Sequence, residues 1–151
     1  MGEALKAEVP QTEARITDKL LHYWEEIKGD LNYPKQDDVE SANISDIWKN
    51  CFLIKIEEDG KFVYNFLGSS LVQAYADNLE GEEIVEDLLY PESPELKAKF
   101  AELIATKQPV HYEGALINKN NMDIKFRKIL LPLGKDGKID FILGGMRWRA
   151  F

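Results

Sequence analysis

The chain has 151 residues, a length that fits one domain, and its 27 acidic against 19 basic side chains give a net charge of −8. That balance, with no cluster of lysine or arginine forming a stripe along the chain, argues against nucleic acid and anionic membrane as partners. No apolar run approaches the length that crosses a bilayer, and the single cysteine, Cys51, excludes an internal disulfide and fits a reducing, cytoplasmic setting.

Residues 1–11 are polar and contain Pro10, and are expected to form a flexible lead-in to a single domain over 12–151. They lack the apolar segment of a secretory signal, and Lys6 stands where N-myristoylation wants serine or threonine. From Thr12, the residues Ile16, Leu20, Trp24 and Ile27 recur at helical spacing, so 12–28 reads as an amphipathic helix that stops at Gly29-Asp30. This helix is expected to cover a sheet face or to pair with a second copy of itself. Residues 30–46 are acidic and turn-rich. "NCFLIKIEEDGKFVYNFLG" then offers two β-rich runs about Asp59-Gly60, the pattern of a hairpin, apolar enough to be covered on both faces. Cys51, beside Phe52, Leu53 and Ile54, is expected to be a buried strand thiol.

Between Ser69 and Lys107 the pattern is helical. Short helices broken at Gly81 and Pro91 lead to a longer one, with Ser93 as its N-cap and Pro94 at its first position. Three more β-runs close the chain, "VHYEGALI", "MDIKFRKILLPL" and "KIDFILGGMRWRAF", joined by "NKNN" and by Asp136-Gly137. Hairpin, helical crossover and three-strand meander, with a helix in front, make an α+β fold on a five-stranded antiparallel sheet.

Few residues invite chemistry. Gly68-Ser69-Ser70 ends a strand and opens a helix, but a nucleophile elbow needs a second glycine and a phosphate loop needs a lysine. A serine side chain capping the helix is the expectation there. His22 has Glu25 and Glu26 at i+3 and i+4, the spacing of surface pairs on a helix. His111 and Glu113 share one face of a strand and are the pair that could act as a base. No cysteine or histidine motif for zinc is present, and neither Asp37-Asp38-Glu40 nor the acids around Gly81 follow an EF-hand. Three tryptophans, six tyrosines and seven phenylalanines could furnish a pocket or a sheet core.

The order of strands, with the Gly68 break and "AYADNLEGEEI" placing Gly81 at a turn, resembles the PAS superfamily. A closer likeness is to small PAS-like proteins, mostly alphaproteobacterial, formerly catalogued as a domain of unknown function. It runs through Tyr23-Trp24, Gly29, Pro34 and Asp38, then "FVYNFLGS", Pro109, "LPL" at Leu131-Pro132-Leu133, and "DGKIDFILGG" from Asp136 to Gly145. Asn65 stands where that group has arginine, and Ser69 replaces its threonine. The haem-type and flavin-type PAS signatures are absent, with Cys51 in the wrong element for a photoreactive thiol, so no cofactor or metal is assigned.

The resemblance implies a cytoplasmic, non-catalytic sensory, signalling or protein-interaction module. A small ligand would lie between the sheet and the crossover helices, lined by Tyr64, Phe66, Leu71, Tyr75, Phe100, Ile124 and Phe126. A homodimer would form through Ile16, Leu20, Trp24 and Ile27. The alternative is a small cystatin-like isomerase or hydratase using His111 and Glu113, although such folds place their helices ahead of a continuous sheet. A third reading is a scaffold with a filled interior that acts through its surface.

Overall fold

Two aspartate-glycine turns organise the sheet. At Asp136-Gly137 both residues have positive φ, +56° and +78°, the two-residue turn whose twist matches that of the strands it joins. At Asp59-Gly60 only the glycine is left-handed, with φ +87°, and the Glu57 amide donates to the Lys61 carbonyl. The computed structural model of the chain describes residues 11–84 and 93–151. Within them lie α1 (Gln11–Lys28), β1 (Cys51–Ile56), β2 (Phe62–Leu67), α2 (Ser69–Tyr75), α3 (Ser93–Thr106), β3 (Val110–Ile117), β4 (Asp123–Lys135) and β5 (Lys138–Ala150). The lead-in expected before Gln11 and the Pro91 break lie outside the described residues.

The strands form one antiparallel sheet in the order β2-β1-β5-β4-β3. The first hairpin therefore joins the last strand, with Cys51 opposite Gly145 and Leu53 opposite Leu143. Because β1 sits between two neighbours with both faces covered, Cys51 to Ile54 are all buried. The expected α+β architecture is thus present, with hairpin and meander in a single sheet.

The α1 stripe packs on one face of the sheet. Leu20 is fully buried, and a Cβ built on Gly145 would lie 2.9 Å from its Cδ2, so the glycine lets the helix approach closely. The Trp24 indole donates to the Pro132 carbonyl at 2.8 Å, and the Gly134 amide donates to the Pro34 carbonyl at 3.0 Å. Helix and loop thereby complete the part of β4 that runs past the end of β3. With Ile16, Leu20 and Trp24 buried and Ile27 packed against the same core, the stripe belongs to its own chain. It is not exposed for a second copy, which corrects the dimer face expected there. Burial of each such side chain contributes about 1.5–3 kcal/mol.

The opposite face carries α2 and α3. One segment departs from expectation. After Gly81 the chain runs extended along β2 instead of starting another helix: Gly81 donates to the Tyr64 carbonyl, Tyr64 to Glu82 and Ile84 to Phe62. The Glu80 carboxylate accepts from the Leu67 amide at 3.0 Å. Residues 80–84 cover the open edge of β2, whose unpaired amides outweigh weak local helix propensity.

Candidate functional site

The face under α2 and α3 is read from the alternation of β4. Ile124, Phe126, Lys128 and Leu130 point inward in turn, and all four are buried, the lysine at 1% exposure. Register places Tyr112 on one side of Lys128 and Met146 on the other. The Lys128 amino group lies 4.7 Å from the centre of the Phe126 ring, 5.7 Å from those of Tyr75 and Tyr112, and 5.8 Å from that of Phe52. It donates to the Tyr75 hydroxyl at 3.0 Å, and that hydroxyl donates to the Met146 sulfur at 3.8 Å. Moving a lysine head group out of water costs several kcal/mol. Desolvated cation–π contacts return about 2 kcal/mol or more, and a hydrogen bond involving a charged group about 1.5–3 kcal/mol. Four rings and a hydroxyl converging on one amine make this the most specific chemistry among the described residues.

Of the expected lining residues, Tyr75 and Phe126 meet the Lys128 amino group, and Tyr64, Leu71, Phe100 and Ile124 are buried in the same core. Tyr64 meets Phe52 edge-on at 6.3 Å, and Phe126 meets Tyr112 edge-on at 5.8 Å. Tyr75 and Leu71 are buried one helical turn apart on α2. Ile124 shares the inner face of β4 with Phe126, and Phe100 of α3 packs on Phe62 at 4.7 Å. Phe66 does not belong. A bulge at Asn65 lets Leu53 pair with Phe66 and Ile54 with Tyr64, so strand parity inverts there. Phe66 then points to the other face and stacks on Trp48 at 4.6 Å. Lys128, Phe52 and Tyr112 stand at this centre in addition to the residues expected from sequence. The signal for Lys128 was present in the pattern, since it is two residues from Phe126 and four from Ile124, on the same parity.

Gly68-Ser69-Ser70 does not form the expected serine cap. The N-cap is Gly68, with no side-chain cap bond, and Ser69 and Ser70 are the first residues of α2. Gly68 is required by close approach: its Cβ would stand 2.3 Å from the Lys49 carbonyl oxygen. The Ser70 hydroxyl accepts from the Trp148 indole at 2.9 Å and from the Asn50 amide at 3.2 Å, and Asn50 also donates to the Met146 carbonyl. At the other end of α2, the Asn118 amide donates to the Ala74 carbonyl at 2.9 Å. The helix that carries Tyr75 is thus pinned at both ends, by β5 and by the β3–β4 turn.

His111 and Glu113 share a face as expected, but it is the outer one, and both are exposed. The Glu113 carboxylate is 2.9 Å from Arg127, which occupies it as an ion-pair partner. The cystatin-like arrangement, with both groups inside a cone-shaped cavity, is not this fold. His22 is likewise exposed, beside a surface cleft of about 620 Å³ that also involves Lys19 and Asp46. Cys51 is buried as expected, and burial pushes its thiol up to about 12, with the Asp46 charge adding to the shift. Among the described residues, no three histidine, cysteine or acidic side chains gather to hold a metal, and no helix is long and apolar enough to cross a membrane.

The fold does create a basic patch that the linear sequence does not show. Lys125 pairs with Arg149 and Arg127 with Arg147 across β4 and β5, bringing four cations onto the outer face. They border a cleft of about 500 Å³ with Glu113 and Phe151. Like charges directly opposite on a sheet oppose pairing, and here Phe151 lies under Lys125 and Arg149 as a π-face.

A search of curated protein sequences finds no relative of this chain. Among solved structures, the LOV protein of Rhodobacter sphaeroides is similar with TM-score 0.51 and 10% identity, over 72% of this chain and 67% of that one. A PAS domain from Colwellia psychrerythraea gives TM-score 0.51 and 9% identity, over 73% of this chain and 95% of that one. The fungal blue-light photoreceptor Vivid, solved as its light-state dimer, gives TM-score 0.50 and 12% identity over 64% and 74%. At such identities the likeness is one of fold. The family model described as PAS domain matches residues 12–147. Strand order, helical crossover and that match together place the chain in the PAS domain family.

Proposed function

We propose that this PAS domain is a cytoplasmic, non-catalytic signalling module that accepts a small molecule between the inner face of its sheet and α2 and α3. The observation that supports this most is the buried Lys128–Tyr75 pair within its ring of aromatics, a few placed polar groups in an apolar interior. Tyr64, Leu71, Tyr75, Phe100, Ile124 and Phe126 line the site, joined by Phe52, Tyr112 and Lys128.

The route outward runs through β5. Its Gly144 and Met146 face the interior, and Gly145 between them lies under Leu20 of α1. A ligand that prefers one packing of β5 therefore changes how α1 docks, provided its affinities for the two packings differ. A homodimer of this module engages exposed surface and leaves the buried Ile16, Leu20 and Trp24 stripe in place.

A thermal-shift screen of small metabolites, repeated on Leu71→Trp and His111→Ala, tests the reading. Stabilisation that survives the histidine change and disappears with the tryptophan supports an interior site. Stabilisation lost with His111 and kept in Leu71→Trp contradicts it.

A further inference from the structure

We infer that the outer face of the sheet carries a second binding site, for a small molecule that presents two linked phosphoryl groups. It is independent of the interior site. Strand parity sets the face. On β4, Lys125 and Arg127 alternate with Ile124, Phe126 and Lys128, which are buried inward. On β5, Met146 meets Tyr75 and Trp148 meets Ser70 on the inner side, so Arg147 and Arg149 belong to the outer one. Register then sets the cations in two opposed pairs, Lys125 with Arg149 and Arg127 with Arg147. The next pair on this face, Ile129 with Gly145, is where Leu20 of α1 packs.

Four of the chain's 19 basic side chains thus meet in one place, on a molecule whose 27 acids give it a net charge of −8. Like charges directly opposite weaken strand pairing, a cost that a bound anion offsets. Lys125, Arg127 and Arg149 are exposed, and all four cations border the outer cleft of about 500 Å³. Lys125 and Arg149 form no ion pair among the described residues. Both lie over the Phe151 ring, at 4.6 and 5.9 Å, which gathers two long side chains toward one another before any ligand arrives. The one acid among the lining residues is Glu113, and it lies against Arg127 at 2.9 Å.

The layout of the charge selects the ligand. Opposed residues of an antiparallel pair stand about 5 Å apart and alternate residues of one strand about 7 Å, so the four cations mark out a small rectangle. A carboxylate engages one corner of it, as Glu113 does at Arg127. Two phosphoryl groups joined through one oxygen carry several negative charges and acceptors on every side, and so reach both pairs at once. Three of the four corners are arginines, whose planar forks match phosphate oxygens. A local positive field on an acidic protein draws a small polyanion to this face while the rest of the surface repels it. The diphosphate group is common to the free anion and to nucleotides, and the assay separates the two.

The test is calorimetric titration of the full chain at low ionic strength with pyrophosphate, ADP, adenosine, inorganic phosphate and the peptide tri-aspartate. Pyrophosphate should bind one to one, at least about tenfold more tightly than inorganic phosphate or tri-aspartate, and more weakly as sodium chloride is added. Lys125→Gln with Arg149→Gln should lower that affinity by about tenfold or more. Lys55→Gln with Lys61→Gln makes the same charge change on the first hairpin and should lower it by less than about twofold. Leu71→Trp, on the interior side, should leave it unchanged. ADP binding at least as tightly as pyrophosphate names a nucleotide as the source, and ADP binding more weakly names the free anion. No binding of pyrophosphate, equal affinity for inorganic phosphate or tri-aspartate, equal losses in the two double variants, loss in Leu71→Trp, or adenosine matching ADP each overturns the inference. A measurement on the native chain keeps the test independent of how the variants fold. Pyrophosphate should move the arginine Nε resonances of Arg127, Arg147 and Arg149 in nitrogen-15 spectra, and fixed arginine resonances with shifts elsewhere overturn the site.

Discussion

Leu20→Ala tests whether α1 is part of this domain's own core. Leu20 is fully buried against Gly145 and Ile129, and removing its isobutyl group leaves a cavity whose cost for leucine runs from about 2 to 5 kcal/mol. A central value of about 3 kcal/mol lowers the melting temperature of a chain this long by about 6–12 °C. Gly145→Ala supplies the complementary perturbation. In the native background its new methyl would stand 2.9 Å from the Leu20 Cδ2, so the leucine must shift and stability falls by about 1 kcal/mol. In the Leu20→Ala background that atom is gone and the methyl partly fills the space, so the two changes together cost less than their sum by about 1 kcal/mol. Urea unfolding of the four proteins, followed by far-ultraviolet dichroism, gives the cycle, with unchanged m-values showing that the same surface unfolds. A loss below about 1 kcal/mol for Leu20→Ala would refute the packing. So would a midpoint that drops on dilution, because the stripe would then lie between chains.

Other expectations follow from single contacts. Trp24→Phe strands the Pro132 carbonyl and should cost about 1–3 kcal/mol by urea melt; a neutral result would mean that water replaces the indole without loss. Gly68→Ala drives a methyl into the Lys49 backbone oxygen and should cost about 3 kcal/mol or more, whereas Gly60→Ala, with open space around it, should lose less, since only its positive φ resists. Arg127→Ala breaks an exposed ion pair with Glu113 and should change stability by less than about 1 kcal/mol, an effect that disappears in high salt. The Cys51 thiol, raised from an ordinary value of 9.0 to about 12, stays protonated in the fold while the unfolded chain ionises. Its contribution is therefore complete below pH 9 and is lost as pH rises toward 12, at up to about 1.4 kcal/mol per pH unit. Compared with Cys51→Ala, the native chain should lose stability faster above pH 9, and parallel curves for the two proteins would contradict the buried thiol.

The readable parts of the fold were those set by neighbours in sequence. Asp136-Gly137 and Asp59-Gly60 announce hairpins because a left-handed residue is needed at each bend. The Ile16–Leu20–Trp24 stripe announces a covered helix, though not whether its own sheet or a second copy covers it. What could not be read depends on register. Phe66 faces outward because one extra residue, Asn65, is inserted opposite Leu53 and Ile54, and a bulge leaves no compositional mark in an already apolar strand. Lys125, Arg127, Arg147 and Arg149 are scattered along the chain and become a patch only when β4 pairs with β5. The extended course of residues 80–84 answers the needs of β2's edge, not local propensity. Lys128 shows what parity can and cannot give: β4 alternates from Asp123 to Lys128 and is buried at every position from there to Gly134, so the pattern turns the lysine inward without naming what surrounds it.

The most direct measurement of an interior site uses the methionine methyl groups. Met146 is fully buried beside Tyr75 and Lys128, while Met122 is exposed just after the β3–β4 turn, so ¹³C-methyl spectra carry a probe and a control in one molecule. Adding a compound that stabilises the native chain should move or broaden the Met146 resonance and leave Met122 in place. A compound that binds and stabilises while Met146 stays fixed would place the ligand on the surface and contradict a site between the sheet and its helices.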